Sequence, residues 1–181
     1  MNKKFIIFGI FILLLIAGGV FWWWQSGKEL KELNKSLPEG IRVEKRQGQE
    51  VIVNKKEGYE IKVPKDWGGI KRIEYLGNEL LVGAKTTEDW ASISMYNSEN
   101  RDLNLWLKEH FKENTLRFPD AITSIVGDET IGNLKVTKVI TDDPEIGLTY
   151  FFYFQKDSKI YEIYSDLSEQ SIRNVILNSS F

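Results

Sequence analysis

The chain has 181 residues, a formal net charge of −2, 28% charged residues and 42% hydrophobic residues, the balance of an ordinary globular domain. Lys and Arg are scattered rather than gathered into a basic stripe, so no nucleic-acid partner is expected. With no cysteine and a single histidine, the sequence excludes disulfides, thiolate metal sites, a cysteine nucleophile, a lipid anchor on an N-terminal cysteine and two-histidine motifs such as H-E-x-x-H.

Residues 5–24 form an uncharged apolar run of about 20 residues, the length of a bilayer-spanning helix. Lys3 and Lys4 precede it, whereas Lys28 and Lys31 behind it are balanced by Glu29 and Glu32. This asymmetry predicts a cytoplasmic N-terminus over residues 1–4 and a single-pass transmembrane signal-anchor helix over 5–24. It also predicts an extracytoplasmic C-terminal domain, with a prokaryotic plasma membrane as the location. The lipid bilayer is then a partner through residues 5–24, with Trp22, Trp23 and Trp24 at the membrane interface. The competing reading is a signal peptide cleaved at Ala17-Gly18-Gly19, which would leave Val20 to Trp24 as an exposed apolar terminus.

Residues 25–40 read as a juxtamembrane tether. Leu30, Leu33 and Leu37 make a narrow apolar stripe, too short for a coiled coil and more consistent with a stalk, and Pro38-Glu39-Gly40 ends it in a turn. The remaining domain, residues 41–181, holds roughly 140 residues, enough for one core.

That domain opens with alternating strands at 41–43 and 51–53 around Gln47-Gly48. Another alternating strand follows at 59–63, stopped by Pro64, and then a turn at Asp66-Trp67-Gly68-Gly69. Strands are expected at 70–75 and 80–84, split by Gly77-Asn78, and at 91–96. A helix is expected over 103–114, because Leu103, Trp106, Leu107, His110 and Phe111 share one face; Asp102 is its N-cap, and Phe118-Pro119 lies beyond its end. Four strands follow at 122–126, 134–140, 148–154 and 160–164, with turns at Gly132-Asn133 and Lys156-Asp157-Ser158. A last helix begins near Leu167, with capping-box spacing between Asp166 and Glu169 and an apolar face of Ile172, Val175 and Ile176; Phe181 closes the core.

The segment 148–154 is apolar or aromatic on both faces, the pattern of a central strand covered on each side. With hairpin connections and two helices far apart in sequence, the expected class is α+β: a three-layer α/β/α sandwich on a mostly antiparallel sheet, preceded by one transmembrane helix.

The run Tyr59-Glu60-Ile61-Lys62-Val63-Pro64-Lys65-Asp66-Trp67 resembles the opening strand and Pro-x-x-Trp turn of PsbP-like domains. The aromatic strand 150–154, the strand Lys159-Ile160-Tyr161-Glu162-Ile163 and the closing Ile176-Leu177-Asn178-Ser179-Ser180-Phe181 look like that family's end. The resemblance covers about residues 50–181 and extends to the Mog1-like proteins. It implies an α/β/α sandwich with an antiparallel sheet and a role that is chiefly non-enzymatic. The expected membrane helix and the lack of a transit peptide depart from the plant members, so no thylakoid role is expected and no binding residue is carried over.

The chemistry-bearing residues are sparse. His110, the single imidazole, shares the apolar helix face, which reads as a partly buried structural histidine rather than a general base. Asp142-Asp143-Pro144-Glu145 lacks EF-hand spacing and reads as a solvated turn, as do Glu88-Asp89 and Asp128-Glu129. Gly68-Gly69 lacks the following Lys-Ser/Thr of a phosphate loop. Gly18-Gly19 does not make G-x-x-x-G spacing. No catalytic, cofactor-binding or metal-ligating residue is assigned, and no cofactor is expected. Trp67 and Trp90 are the candidate binding surface, with core or edge packing as the competing reading.

The functional expectation is a membrane-anchored, non-enzymatic binding or assembly module on the extracytoplasmic side, with a protein partner. The alternatives are an extracytoplasmic hydrolase that uses carboxylates or His110, and a cell-envelope structural subunit that oligomerises through Leu30–Leu37.

Overall fold

The structure is a computed structural model and describes residues 3–99, 101–117, 120–145, 147–165 and 169–181. Residues Met1–Lys35 and Ser36–Phe181 form two compact units.

The first unit is one helix, α1 (Lys3–Lys35). The expected transmembrane signal anchor is corrected here: among the described residues no helix is long and apolar enough to cross a membrane. The helix that forms runs on past the apolar stretch into Lys28, Glu29, Lys31, Glu32 and Lys35, so the hydrophobic run is not an element of its own. Near its end the Asn34 side chain donates to the Leu30 carbonyl at 2.8 Å, and Lys35 pairs with Glu32 on the exposed surface. The side chains of Trp22, Trp23 and Trp24, expected at a membrane interface, lie outside the described residues.

The second unit opens with β1 (Ile41–Arg46), β2 (Gln49–Asn54) and β3 (Tyr59–Lys62). Pro64 follows closely on β3; it has no N–H to donate to a ladder, and the chain leaves the sheet there. A 3-10 turn, Lys65–Trp67, then reverses direction through Gly68 at φ +63. A side chain at Gly68 would collide with Thr86, so glycine is needed both for the backbone angle and for the space. From here a second sheet begins with β4 (Ile70–Leu76), β5 (Glu79–Ala84) and β6 (Trp90–Asn97). After α2 (Leu103–Arg117) it continues with β7 (Ile122–Ile131), β8 (Leu134–Asp143), β9 (Gly147–Lys156) and β10 (Lys159–Ser165). The chain ends with α3 (Glu169–Leu177) and a short strand β11 (Ser179–Ser180), which returns to pair with Ile61 and Glu60 of β3.

The strand orders are β1-β2-β3-β11 in the four-stranded sheet and β4-β5-β6-β10-β9-β8-β7 in the seven-stranded one, and every pairing is antiparallel. The expected three-layer α/β/α sandwich, drawn from the pattern and from the PsbP-like resemblance, is therefore corrected: the molecule is mostly β, built on two antiparallel sheets. The physical reasons are the break at Pro64, which splits the strands into two sheets, and the shortness of the helices. At nine residues, α3 is only ~13 Å long, against roughly 29 Å across seven strands. Neither helix is a full layer.

The central-strand expectation for 148–154 agrees with the order: β9 lies between β10 and β8. Alternate residues of β9 serve opposite faces. Phe152 and Phe154 lie on the α3 side, where Arg173 sits over the Phe152 ring and Phe181 packs on Tyr59, Phe154 and Tyr161. Tyr153 lies on the α2 side with Trp106, Leu107, Val139 and Ile160. Asp102 caps α2 by accepting the Leu105 N–H at 3.0 Å, as its position before the apolar repeat predicts. The expected signals Phe118-Pro119, Asp166 and Leu167 lie outside the described residues.

Candidate functional site

Residues directly opposed across an antiparallel ladder share a face. Glu79 of β5 faces Ser94 of β6, Ser94 faces Glu162 of β10, Glu162 faces Tyr153 of β9, and Tyr153 faces Thr137 of β8. One polar row therefore runs across five strands on the α2 side of the sheet. The neighbouring row, Leu81, Ser92, Tyr164, Phe151 and Val139, adds two more polar side chains.

Glu162 is the centre of this row and only 5% exposed. Its carboxylate accepts the Tyr153 hydroxyl at 2.5 Å and the Tyr96 hydroxyl at 3.4 Å. The Nε2 of His110 lies 3.9 Å from its Oε2. The His110 ring stacks on Trp106 at 4.4 Å and 14°, so α2 presents the imidazole from a fixed aromatic bed. Burial raises the Glu162 pKa; the two tyrosine hydrogen bonds oppose that rise and the nearby Glu79 charge adds to it, leaving the group at about 7. Burial, and then the Glu162 charge, push the hydroxyls of Tyr153 and Tyr96 well above their ordinary value.

Glu79 is half-buried and makes a parallel arrangement. Its Oε1 accepts Ser92 Oγ at 2.5 Å and the Tyr164 hydroxyl at 3.0 Å. Burial and the Glu79 charge push Tyr164 up to about 12. Around these carboxylates stand the half-buried rings of Trp90, Tyr96, Phe151 and Tyr164. Trp90 meets Tyr164 edge to face at 5.5 Å, and Tyr164 stacks on Phe151 at 5.0 Å.

Several acidic side chains elsewhere have basic partners. Glu129 and Glu169 bind Arg173, Glu169 also binds Lys138, Glu57 binds Lys159, Asp128 binds Lys135, and Glu44 and Glu60 bind Arg46. Among the described residues no lysine or arginine pairs with Glu79 or Glu162; their partners are hydroxyls and His110. The row thus holds negative charge without a basic counter-ion. It can attract a cation, and at Glu162 it can bind or release a proton near neutral pH.

Of the residues singled out from sequence, Trp67 is 1% exposed and lies in the core, whereas Trp90 is half-buried at the edge of this row. His110 is partly buried, as its helix face predicts, and it also reaches Glu162. Asp143 accepts the Glu145 N–H at 2.8 Å, so the acidic loop is closed as a local turn. Gly68-Gly69 border a cavity of about 390 Å³ lined also by Lys45, Gln49, Glu50 and Lys65. Its polar groups serve the fold: Glu50 accepts the Ile70 N–H at 2.7 Å across the two sheets, and Gln49 donates to the Val63 carbonyl at 2.7 Å beside β3. Among the described residues no group of three or more metal-ligating side chains gathers.

Glu79, Tyr96, Tyr153, Glu162 and Tyr164 are not legible as a site in the sequence. The available signal is a glutamate inside the apolar strand 160–164, at a position whose alternation faces inward. Ser92 and Ser94 carry the opposite trap: their alternation with Ala91, Ile93 and Met95 resembles a solvent face, yet both are buried. No family model matches this sequence, and no curated protein matches it.

Proposed function

We propose that the 41–181 domain is a non-enzymatic binding module and that the α2 side of its seven-stranded sheet is the binding face. The observation that carries this reading is the pair Glu79 and Glu162, two carboxylates held by hydroxyls and bordered by half-buried aromatic rings, without a lysine or arginine counter-ion among the described residues. Aromatic rings beside unneutralised charge suit recognition of a partner group, because both contribute most when that group displaces water. The resemblance to PsbP-like and Mog1-like domains points the same way as a resemblance only, since fold likeness does not assign function.

A photocrosslinking residue at position 90, with position 148, exposed on the opposite face of β9, as the control, tests this. The expected result is an adduct from 90 alone, with E162Q reducing it. Equal adducts from both positions, or none, contradict the reading.

A second reading, a hydrolase with Glu162 and His110 as a proton-transferring pair, is favoured by their 3.9 Å separation. Turnover abolished by both E162Q and H110A would establish it in place of the first.

A further inference from the structure

We propose that this face binds an organic cation, an alkylammonium or quaternary ammonium group seated on the Glu79 carboxylate beside Trp90 and Tyr164, with Glu162 adding negative charge from beneath. The proposal rests on the binding-face reading above and names its ligand.

The chemistry of the face eliminates the other ligand classes. The hydroxyls of Ser92, Tyr164, Tyr153 and Tyr96 already donate to the two carboxylates, so the donors an anionic ligand needs are spent. An anion would also meet the Glu79 carboxylate and, wherever it is ionised, that of Glu162. A neutral apolar ligand would cover the rings but bury the carboxylates further without pairing them, which costs free energy. A hard metal ion wants six or more oxygens, and the described residues gather no such set. An ammonium group on an alkyl body satisfies both parts of the face. Its charge meets the carboxylates, and its hydrocarbon and weakly hydrated head meet aromatic rings whose faces carry negative quadrupole potential. Glu162 is nine-tenths buried and, among the described residues, pairs with no lysine or arginine, so its charge when ionised acts on whatever occupies the neighbouring Glu79.

The same head group comes from two sources, a free small amine or a lysine side chain of a partner. Full-length protein labelled at the indole nitrogens is titrated with choline, with N-acetyl-lysine amide and with 3,3-dimethylbutan-1-ol, the neutral isostere of choline, while the Trp90 and Trp106 signals are followed. The expected result is saturable displacement of the Trp90 signal by at least one cation, about ten-fold weaker or absent with the isostere. E79Q and E162Q each weaken binding about ten-fold or more, whereas E169Q on the opposite side of the sheet does not. Tighter binding of choline assigns a free quaternary amine; tighter binding of the lysine derivative assigns a partner's lysine. Equal binding of the isostere, wild-type affinity in E79Q and E162Q, or no displacement up to ~10 mM overturns the proposal. If the cations fail while crosslinking from position 90 succeeds, the ligand class is wrong and the binding face stands. If both fail, both readings fall.

Discussion

The two sides of the seven-stranded sheet are built from alternate residues of the same strands, yet they handle charge in opposite ways. On the α3 side Phe152, Phe154 and Ile163 are apolar and buried. The charges there form a closed network in which Arg173 binds Glu129 at 2.8 Å and Glu169 at 2.6 Å, and Lys138 binds Glu169 at 2.5 Å. The Glu169 carboxyl is held below its ordinary pKa by Lys138 first, with Arg173 adding to it. On the α2 side Ser92, Ser94, Thr137 and Glu162 are buried among aromatics, and Glu162 is raised rather than lowered. The lesson is that a single fold can place one face under stability and leave the other holding unneutralised charge. A side that binds nothing would gain by replacing that charge with apolar groups.

This comparison is broken most severely by opening a cavity on the α3 side. Ile172, fully buried on α3, truncated to alanine is expected to cost about 2–5 kcal/mol in urea unfolding. Loss of less than about 1 kcal/mol would mean that this face is not close-packed.

Next comes the pH dependence of the α2 side. Glu162 has a folded-state pKa of about 7 against an ordinary value of 4.5, so the folded protein binds its proton more tightly than the unfolded chain. The Glu162 contribution therefore favours folding at pH below 4.5 and is lost progressively as pH rises to about 7. The total is on the order of 3 kcal/mol. E162Q should flatten this part of the stability–pH curve and leave the protein folded; an unchanged slope would remove Glu162 as its source.

Arg173→Ala sharpens the contrast from the other side. It unpairs Glu129 and leaves Glu169 with Lys138 alone at a partly buried site, and is expected to cost about 1–2 kcal/mol, a loss that shrinks in high salt. The smallest effect is expected at the start of α2, where Asp102→Ala removes the bond to the Leu105 N–H and costs about 1 kcal/mol. Thermal unfolding of the two variants side by side measures both.

Much of the strand order in sequence was legible because its signals are local. Gln47-Gly48, Gly77-Asn78 and Lys156-Asp157-Ser158 each mark a turn at a hairpin, and the apolar repeat of Trp106, Leu107, His110 and Phe111 marks α2. The limits lie where the cause is not local. β7 runs to Ile131 rather than stopping at Val126, because the ladder with β8 passes through an irregularity at Gly127 and continues over Asp128, Glu129 and Thr130. β11 is a pair of serines whose strand character comes only from β3. The site is illegible for the same reason: Glu79, Tyr96, Tyr153, Glu162 and Tyr164 come from four strands, and only ladder register brings them onto one face. Trp67 and Trp90 were indistinguishable in composition, yet one is core and the other stands beside Glu79's partner Tyr164.

The most direct test is a carboxyl-carbon NMR titration that follows Glu162 and Glu169 in the same sample. Glu162 is expected to titrate near 7 and Glu169 below its ordinary value of 4.5, so that the two sides of the sheet separate on one pH axis. A Glu162 midpoint at or below 4.5 would mean that the folded protein stabilises its carboxylate as fully as it does that of Glu169, and the contrast between the two sides would be contradicted.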